Sequence, residues 1–291
     1  MQDSVLVIGG TGMLGLPVAE KLRTSGFRVT IMTTRPQPVS DELGDRFSVV
    51  AGDVTDRASL ARAMAGQDFV YLNLNAKRDP ALYERIEIGG SALAATVARD
   101  SGVKRLITIT GASSKGREEG PIYLRAKVRA ERAIMESGIP YTIMRASWFF
   151  ESLPHFIRDG GLAYIGRQPI PRRWLAVSDY AAQVVNAYRT QEAENKCFYN
   201  LGPEALTIGE VVRRFGRVCH PDMRVRMMPV WIVRLAGLLT GRTDYKSRAA
   251  FFAYFNRIDE DVDGAEADRL LGPNRTTLDD WLRDYCTKRS T

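Results

Sequence analysis

Histidine and cysteine are scarce in this chain, with 2 and 3 residues among 291. His155 and His220 stand alone, with no second ligand at metal spacing, and they carry no catalytic or metal role. Cys197, Cys219 and Cys286 show no CxxC or metal spacing, and their odd count argues against the stapled framework of a small secreted domain. A reducing, cytoplasmic setting is the expectation. Long apolar runs are missing too. The run after Asp3 is shorter than a signal-peptide core and lacks a positive flank. Pro229 to Leu239 is interrupted by Arg234 and falls well short of the roughly 20 residues that a membrane span needs. That stretch reads first as a helix packed on its own lobe, and otherwise as a membrane-interfacial or oligomer surface. No transmembrane segment is expected.

What is present is an ordinary globular composition, 45% hydrophobic and 26% charged. The formal charge of +7 raises the question of nucleic acid. Its Lys and Arg residues are scattered beside acids, as in Arg117-Glu118-Glu119, and no basic run forms. The excess reads as solvated surface with a share for an anionic small ligand, and no nucleic-acid partner is expected.

Apolar, β-branched segments alternate with helical spacing through the first half. Strands are predicted at Ser4 to Ile8, Arg28 to Thr33, Phe47 to Ala51, Asp68 to Asn73, Arg105 to Thr110 and Tyr141 to Met144. Helical patterns fill Leu14 to Ser25, Asp56 to Ala65, Pro80 to Ser101 and Tyr123 to Ser137. This alternation predicts βαβ units and an α/β, doubly wound parallel sheet of the Rossmann type. Gly26, Gly66, Gly102 and Gly138 sit just past helices, where a left-handed residue is wanted. After about 150 the rhythm loosens into a loop region rich in Pro and Gly. A helix at Val177 to Arg189 and a strand at Cys197 to Leu201 return to the sheet. The domains are therefore read as a core of 1–150, with 175–203 rejoining it, and a smaller, mainly helical substrate lobe over 204–291.

Chemistry concentrates at three places. The first is Gly9-Gly10-Thr11-Gly12-Met13-Leu14-Gly15, between the first strand and first helix. Gly9 permits the turn, Gly12 lets backbone approach a pyrophosphate, Gly15 lets helix pack on strand, and the helix N-terminus faces the anion. Residues Gly9, Thr11, Gly12, Met13, Leu14 and Gly15 are assigned to the cofactor. The second is the end of the second strand, Thr33-Thr34-Arg35, where an NAD enzyme would carry an acid for the ribose hydroxyl. Arg35 instead suits a 2′-phosphate, with Thr33 or Thr34 as donor, so NADP(H) is expected. Asp53, with Val54, follows the third strand and is placed for the adenine amino group, though an Asp there is also a normal helix cap.

The third is Tyr123-Leu124-Arg125-Ala126-Lys127. Residues four apart share a helix face, and a nearby cation makes a phenol a usable acid near neutrality. Lys127 can also hold the nicotinamide ribose. Thr110 and Ser113, at the end of the preceding strand, are the alternatives for a hydroxyl that steadies a substrate carbonyl.

With these motifs the chain resembles the short-chain dehydrogenase/reductase superfamily, in its extended or atypical, NmrA-like branch. Gly52-Asp53-Val54-Thr55, Gly102-Val103-Lys104-Arg105, Glu131, the run Ser137 to Arg145 and the run Asn200 to Thr207 match that branch in order, across nearly the whole chain. Two departures stand out. Ala146 occupies a position where proline is usual, and both Ser113 and Thr110 lie close to Tyr123 in sequence. Many NmrA-like relatives lack the Tyr/Lys pair and act as redox-sensing regulators that bind a partner protein. Retention of the pair implies an NADPH-dependent reductase of a carbonyl, enone or quinone-like molecule, with the regulator as the alternative. Trp148-Phe149-Phe150 and Phe251 to Phe255 are candidates for lining an apolar or aromatic substrate pocket, or for simple core packing. A homodimer is left open.

Overall fold

The computed structural model describes residues 2–290 apart from 77, 78, 159 and 242. The chain divides into two compact units, each assembled from separated stretches. The first takes in Met1–Ala146, Tyr180–Asn200 and Asp263–Pro273, and the second Ser147–Asp179, Leu201–Val262 and Asn274–Thr291.

Chain order begins β1 (Ser4–Ile8), α1 (Gly15–Thr24), β2 (Arg28–Thr33), α2 (Pro36–Leu43), β3 (Ser48–Ala51), α3 (Arg57–Met64) and β4 (Phe69–Leu72). A short α4 (Pro80–Leu82) leads through a π-helical stretch, Tyr83–Gly89, into α5 (Gly90–Asp100), β5 (Arg105–Gly111), α6 (Ile122–Glu136) and β6 (Tyr141–Ala146). Next come β7 (Ile157–Arg158), β8 (Gly161–Ile165), β9 (Arg172–Trp174), α7 (Val177–Arg189), β10 (Lys196–Asn200) and β11 (Glu204–Leu206). The chain closes with α8 (Ile208–Cys219), β12 (Val225–Met228), α9 (Val230–Thr240), α10 (Thr243–Phe255), α11 (Ala265–Leu271) and α12 (Leu278–Ser290).

In the first unit, seven strands form one sheet in the order β10-β6-β5-β4-β1-β2-β3. Every pairing in it is parallel. Every residue of β1 and β4 is buried, as parallel strands covered on both faces require. The helices supply that cover with spaced apolar faces. In α1 the buried positions are Gly15, Val18, Ala19 and Leu22, one stripe of the 3.6-residue period. Leu6, Leu60, Leu72, Ala94, Leu106 and Ile134 share one continuous core. The predicted left-handed glycine behind α1 is present, with Gly26 at φ +95°. The strand order reverses between β1 and β4, and ligands of such sheets bind outside the carboxyl ends of the strands at that switch.

The second unit corrects the reading of 150–175 as loop. It holds β7, β8 and β9; β8 pairs antiparallel with β7 and parallel with β12, while β9 pairs antiparallel with β11. These strands span 2 to 5 residues. Pieces so short carry no readable alternation. The aromatic runs pack on one another here. Phe150 stacks on Trp174 at 6.1 Å, and Phe251 lies 4.5 Å from Phe255. Phe150, Trp174 and Phe215 are fully buried. The cluster is the core of its own unit.

A second correction concerns sulfur. Cys219, ending α8, and Cys286, in α12, form a disulfide with a Cα–Cα distance of 5.6 Å across 67 residues of sequence. Packing of α12 against α8 creates that proximity, so neither spacing nor an odd count announces it. Cys197 is a free cysteine.

Candidate dinucleotide and proton-transfer site

The glycines of the first loop divide into two kinds. Gly9 has φ +83°, and a Cβ there would lie 2.0 Å from the Asn73 carbonyl oxygen. A Cβ on Gly15 would lie 2.0 Å from the Gly9 oxygen. Both glycines are demanded by the chain's own packing. At Gly12 a Cβ would meet only the Gly9 oxygen, at an ordinary 3.7 Å. Nothing among the described residues requires a glycine at 12, and the loop there is exposed, as are Thr11 and Met13. The start of α1 has no side-chain cap at Leu14 and no acid in its first turn. Free N–H groups and the positive end of the helix dipole therefore face the space that Gly12 leaves open. The loop fits a dinucleotide pyrophosphate.

At the end of β2, Thr33 Oγ1 accepts a hydrogen bond from the Arg35 N–H at 3.2 Å. That bond turns the chain into α2, where Pro36 is the first helical residue. Thr34 and Arg35 are exposed. The Arg35 guanidinium has no ion-pair partner among the described residues, as a group awaiting a phosphate would. Gly52 N–H bonds the Thr33 oxygen at 3.0 Å and brings Asp53 alongside. Asp53 does not cap α3; Asp56 does, accepting from Ala58 and Ser59 N–H. The Asp53 carboxylate instead accepts from the Thr55 N–H and hydroxyl, each at 2.8 Å, and these bonds hold its pKa below the usual range. Val54 beside it is buried.

The helix α6 buries Leu124, Lys127, Glu131 and Ile134 along one side. Lys127 Nζ donates to Glu87 Oε2 at 2.7 Å and to the Leu74 oxygen at 2.9 Å. Glu87 is itself fully buried, and its other oxygen accepts from the Ala76 N–H at 2.9 Å. Burial alone would push the Lys127 pKa down; the charge of Glu87 leads the effects that outweigh it and hold the ammonium above its ordinary value. An ammonium has three donors. Two are used, and the third has no partner among the described residues. Tyr123 is half-buried four residues earlier, its ring edge-on to Tyr83 at 6.4 Å. Sequence reasoning missed Glu87. It lies in the π-helical stretch, whose wider turn displaces side chains from simple helical spacing. The only trace in sequence is an acid set between Ile86 and Ile88.

Of the two candidate hydroxyls, Thr110 is already committed. Its Oγ1 donates to Glu131 Oε1 at 2.5 Å, and Glu131 is clamped by Arg145, whose Nη2 reaches Oε2 at 2.6 Å. Arg145 also donates to the Tyr199 hydroxyl at 3.1 Å. This chain of bonds ties β5, α6, β6 and β10 together from within. Ser113 lies buried on the turn after β5. The structure therefore gathers Tyr123, Lys127 and Glu87 in one place, and turns Thr110 toward a separate ion pair.

Similar proteins cover most of the chain. A reductase of Streptomyces griseus, (4-alkanoyl-5-oxo-2,5-dihydrofuran-3-yl)methyl phosphate reductase, is 29% identical, covering 80% of this chain and 79% of its own. The triphenylmethane reductase of Citrobacter sp., crystallised with NADP(H), has the same fold with a TM-score of 0.75 at 20% identity, covering 97% of this chain and 99% of its own. A mutant NmrA has the same fold with a TM-score of 0.74 at 16% identity, over 99% of this chain and 96% of its own. The family model for NAD(P)H binding matches residues 9–174, from the first glycine of the loop through β9. The chain belongs to this NAD(P)H-binding family.

Proposed function

We propose that the protein is an NADPH-dependent reductase of a small carbonyl, enone or quinone-like molecule of apolar or aromatic character, with Tyr123 as the proton donor. The observation that carries the reading is the buried, charged Lys127, held by Glu87 with one N–H to spare, on the helix face of Tyr123. A charged group is kept in a protein interior at a cost, and a lysine needed only for packing would be replaced by an apolar residue. The likeness to two reductases, one of them complexed with NADP(H), supports the same reading.

Bound NADPH supplies the hydride. The N–H groups at the start of α1 hold the pyrophosphate, Arg35 and Thr34 take the 2′-phosphate, and Asp53 takes the adenine amino group. Tyr123 gives its phenolic proton to the substrate oxygen. The spare Lys127 N–H stabilises the phenolate that remains, and Glu87 fixes where that N–H points. Ser113 or Thr110, at the end of β5, steadies the carbonyl.

The test is a screen of carbonyl and quinone compounds for NADPH oxidation, followed by Tyr123→Phe on any substrate found. Turnover should fall about 10²–10⁴-fold, the usual contribution of a positioned acid, while NADPH affinity holds. Full activity in Tyr123→Phe would remove the phenol from the mechanism. Tight NADPH binding with no turnover of any compound would favour the regulator.

A further inference from the structure

The helix α9 turns its apolar side to solvent. Trp231, Ile232, Leu235, Leu238 and Leu239 are 64%, 42%, 46%, 70% and 78% exposed. Positions 231, 235, 238 and 239 recur at i, i+4, i+7 and i+8, so they form one stripe with 232 at its edge. The other side of the helix holds the buried Val233 and Gly237. A Cβ on Gly237 would lie 3.1 Å from Tyr245 Cβ and 3.2 Å from Lys246 N, so this glycine lets α10 close in from behind. One side of α9 is thus docked on its own unit, and the larger apolar side is left outside. Exposed apolar surface concentrated in this way marks an interaction site.

Both flanks of the stripe are basic. On the side of Ile232 and Ala236, α9 borders a cavity of about 810 Å³ whose wall includes Arg158, Arg224, Arg226 and Arg248 against one acid among the described lining residues, Asp222. Strand register explains the wall. Arg226 stands opposite Ala163 and Met228 opposite Ile165, and alternate residues share a face. Arg224 and Arg226 therefore line up beside Gly161 and Ala163, which are too small to fill the space. On the other side Arg234 lines a second cleft with Arg257. Arg224, Arg226 and Arg234 form no ion pair among the described residues.

We propose that α9 is an interfacial element that docks this protein on membranes carrying anionic lipid. The apolar stripe enters the boundary between headgroups and acyl chains, Trp231 sits at headgroup level, and the flanking arginines take lipid phosphates. The charge pattern selects this occupant. A second copy meeting the same face across a two-fold axis would set these arginines against their own equivalents, and the sequence of α9 contains no acid to answer them. The helix lies on the bilayer and does not cross it. Its 11 residues reach about 16 Å, roughly half of a hydrocarbon core.

Co-sedimentation with vesicles tests the proposal on the full chain. Vesicles of phosphatidylcholine and phosphatidylglycerol in equal parts should pull the protein down, vesicles of phosphatidylcholine alone should leave it in solution, and high salt should release it. The double variant Leu235→Glu/Leu238→Glu alters exposed positions only. It should lose about tenfold or more in apparent affinity, with far-UV circular dichroism and NADPH affinity unchanged. Arg224→Glu/Arg226→Glu should weaken binding to the anionic vesicles in the same way. Three results would overturn the proposal: no sedimentation with either vesicle, equal sedimentation with both, or undiminished binding by the leucine variant. A dimer in sedimentation velocity that the leucine variant dissociates would give the face to a second copy and overturn it too.

Discussion

Lys127 and Glu131 lie four residues apart on the buried side of α6, and each carries its own counter-ion, Glu87 for one and Arg145 for the other. Removing one member of such a pair strands a charge in a medium that solvates it poorly. Glu87→Gln should therefore cost about 3–5 kcal/mol in urea unfolding, whereas Glu87→Gln combined with Lys127→Met should recover most of that loss. A penalty under about 1 kcal/mol for the single variant would show that water reaches the ammonium. Arg35 is the opposite case, an exposed cation with nothing to hold. No acid ends β2, so NADPH should bind at least about tenfold tighter than NADH, or about 1.4 kcal/mol, and Arg35→Ala should erase the difference. Calorimetric titration of both nucleotides decides this. Equal affinities in the wild type, or an unchanged preference in the variant, would refute the assignment of the 2′-phosphate.

Among the elements, the loop joining β1 to α1 offers a paired experiment. Gly12→Val adds a side chain where the protein itself has room, so the fold should survive and nucleotide binding should vanish. Gly15→Val adds one where the Gly9 oxygen already lies 2.0 Å from the first new carbon, so the fold itself should fail. Circular dichroism and calorimetry on the two variants separate the cases. Normal NADPH binding by Gly12→Val would make the loop structural only. The elements of the first unit were readable because β1, β2, β5 and β6 are continuous β-branched runs and α1, α3 and α6 keep an apolar period. The stretch Pro80 to Ser101 read as one helix, yet it contains a π-helical segment, which the period alone does not reveal. The helix α2 begins at a proline behind Arg35 and buries only Val39 and Leu43, too few for a periodic signal. Of the site, the glycines and the Tyr/Lys pair were legible as motifs. Glu87 was not, because its partner comes from 40 residues away and only folding brings them together.

For the whole molecule, the two units differ in how they announce themselves. The first repeats one supersecondary unit, so pattern reasoning carries through it. The second is built from strands of a few residues and from aromatic packing, in which Trp148 alone approaches Trp174, Phe251, Phe252 and Phe255. Such a core depends on which side chains meet, and that information is spread over separate segments of the chain. Its disulfide is of the same kind. The net charge of +7 has two proposed uses, at Arg35 for a 2′-phosphate and in the arginines beside α9 for lipid phosphates. Hydride transfer remains the property on which the functional reading turns. The direct measurement is to incubate the intact protein with NADPH deuterated at the transferable nicotinamide position and a panel of aldehydes, ketones and enones, whose reduced products keep a transferred deuterium on carbon, then weigh the products. Deuterium on a carbon of a reduced product is the predicted result. Bound NADPH with no panel member taking up deuterium would contradict it.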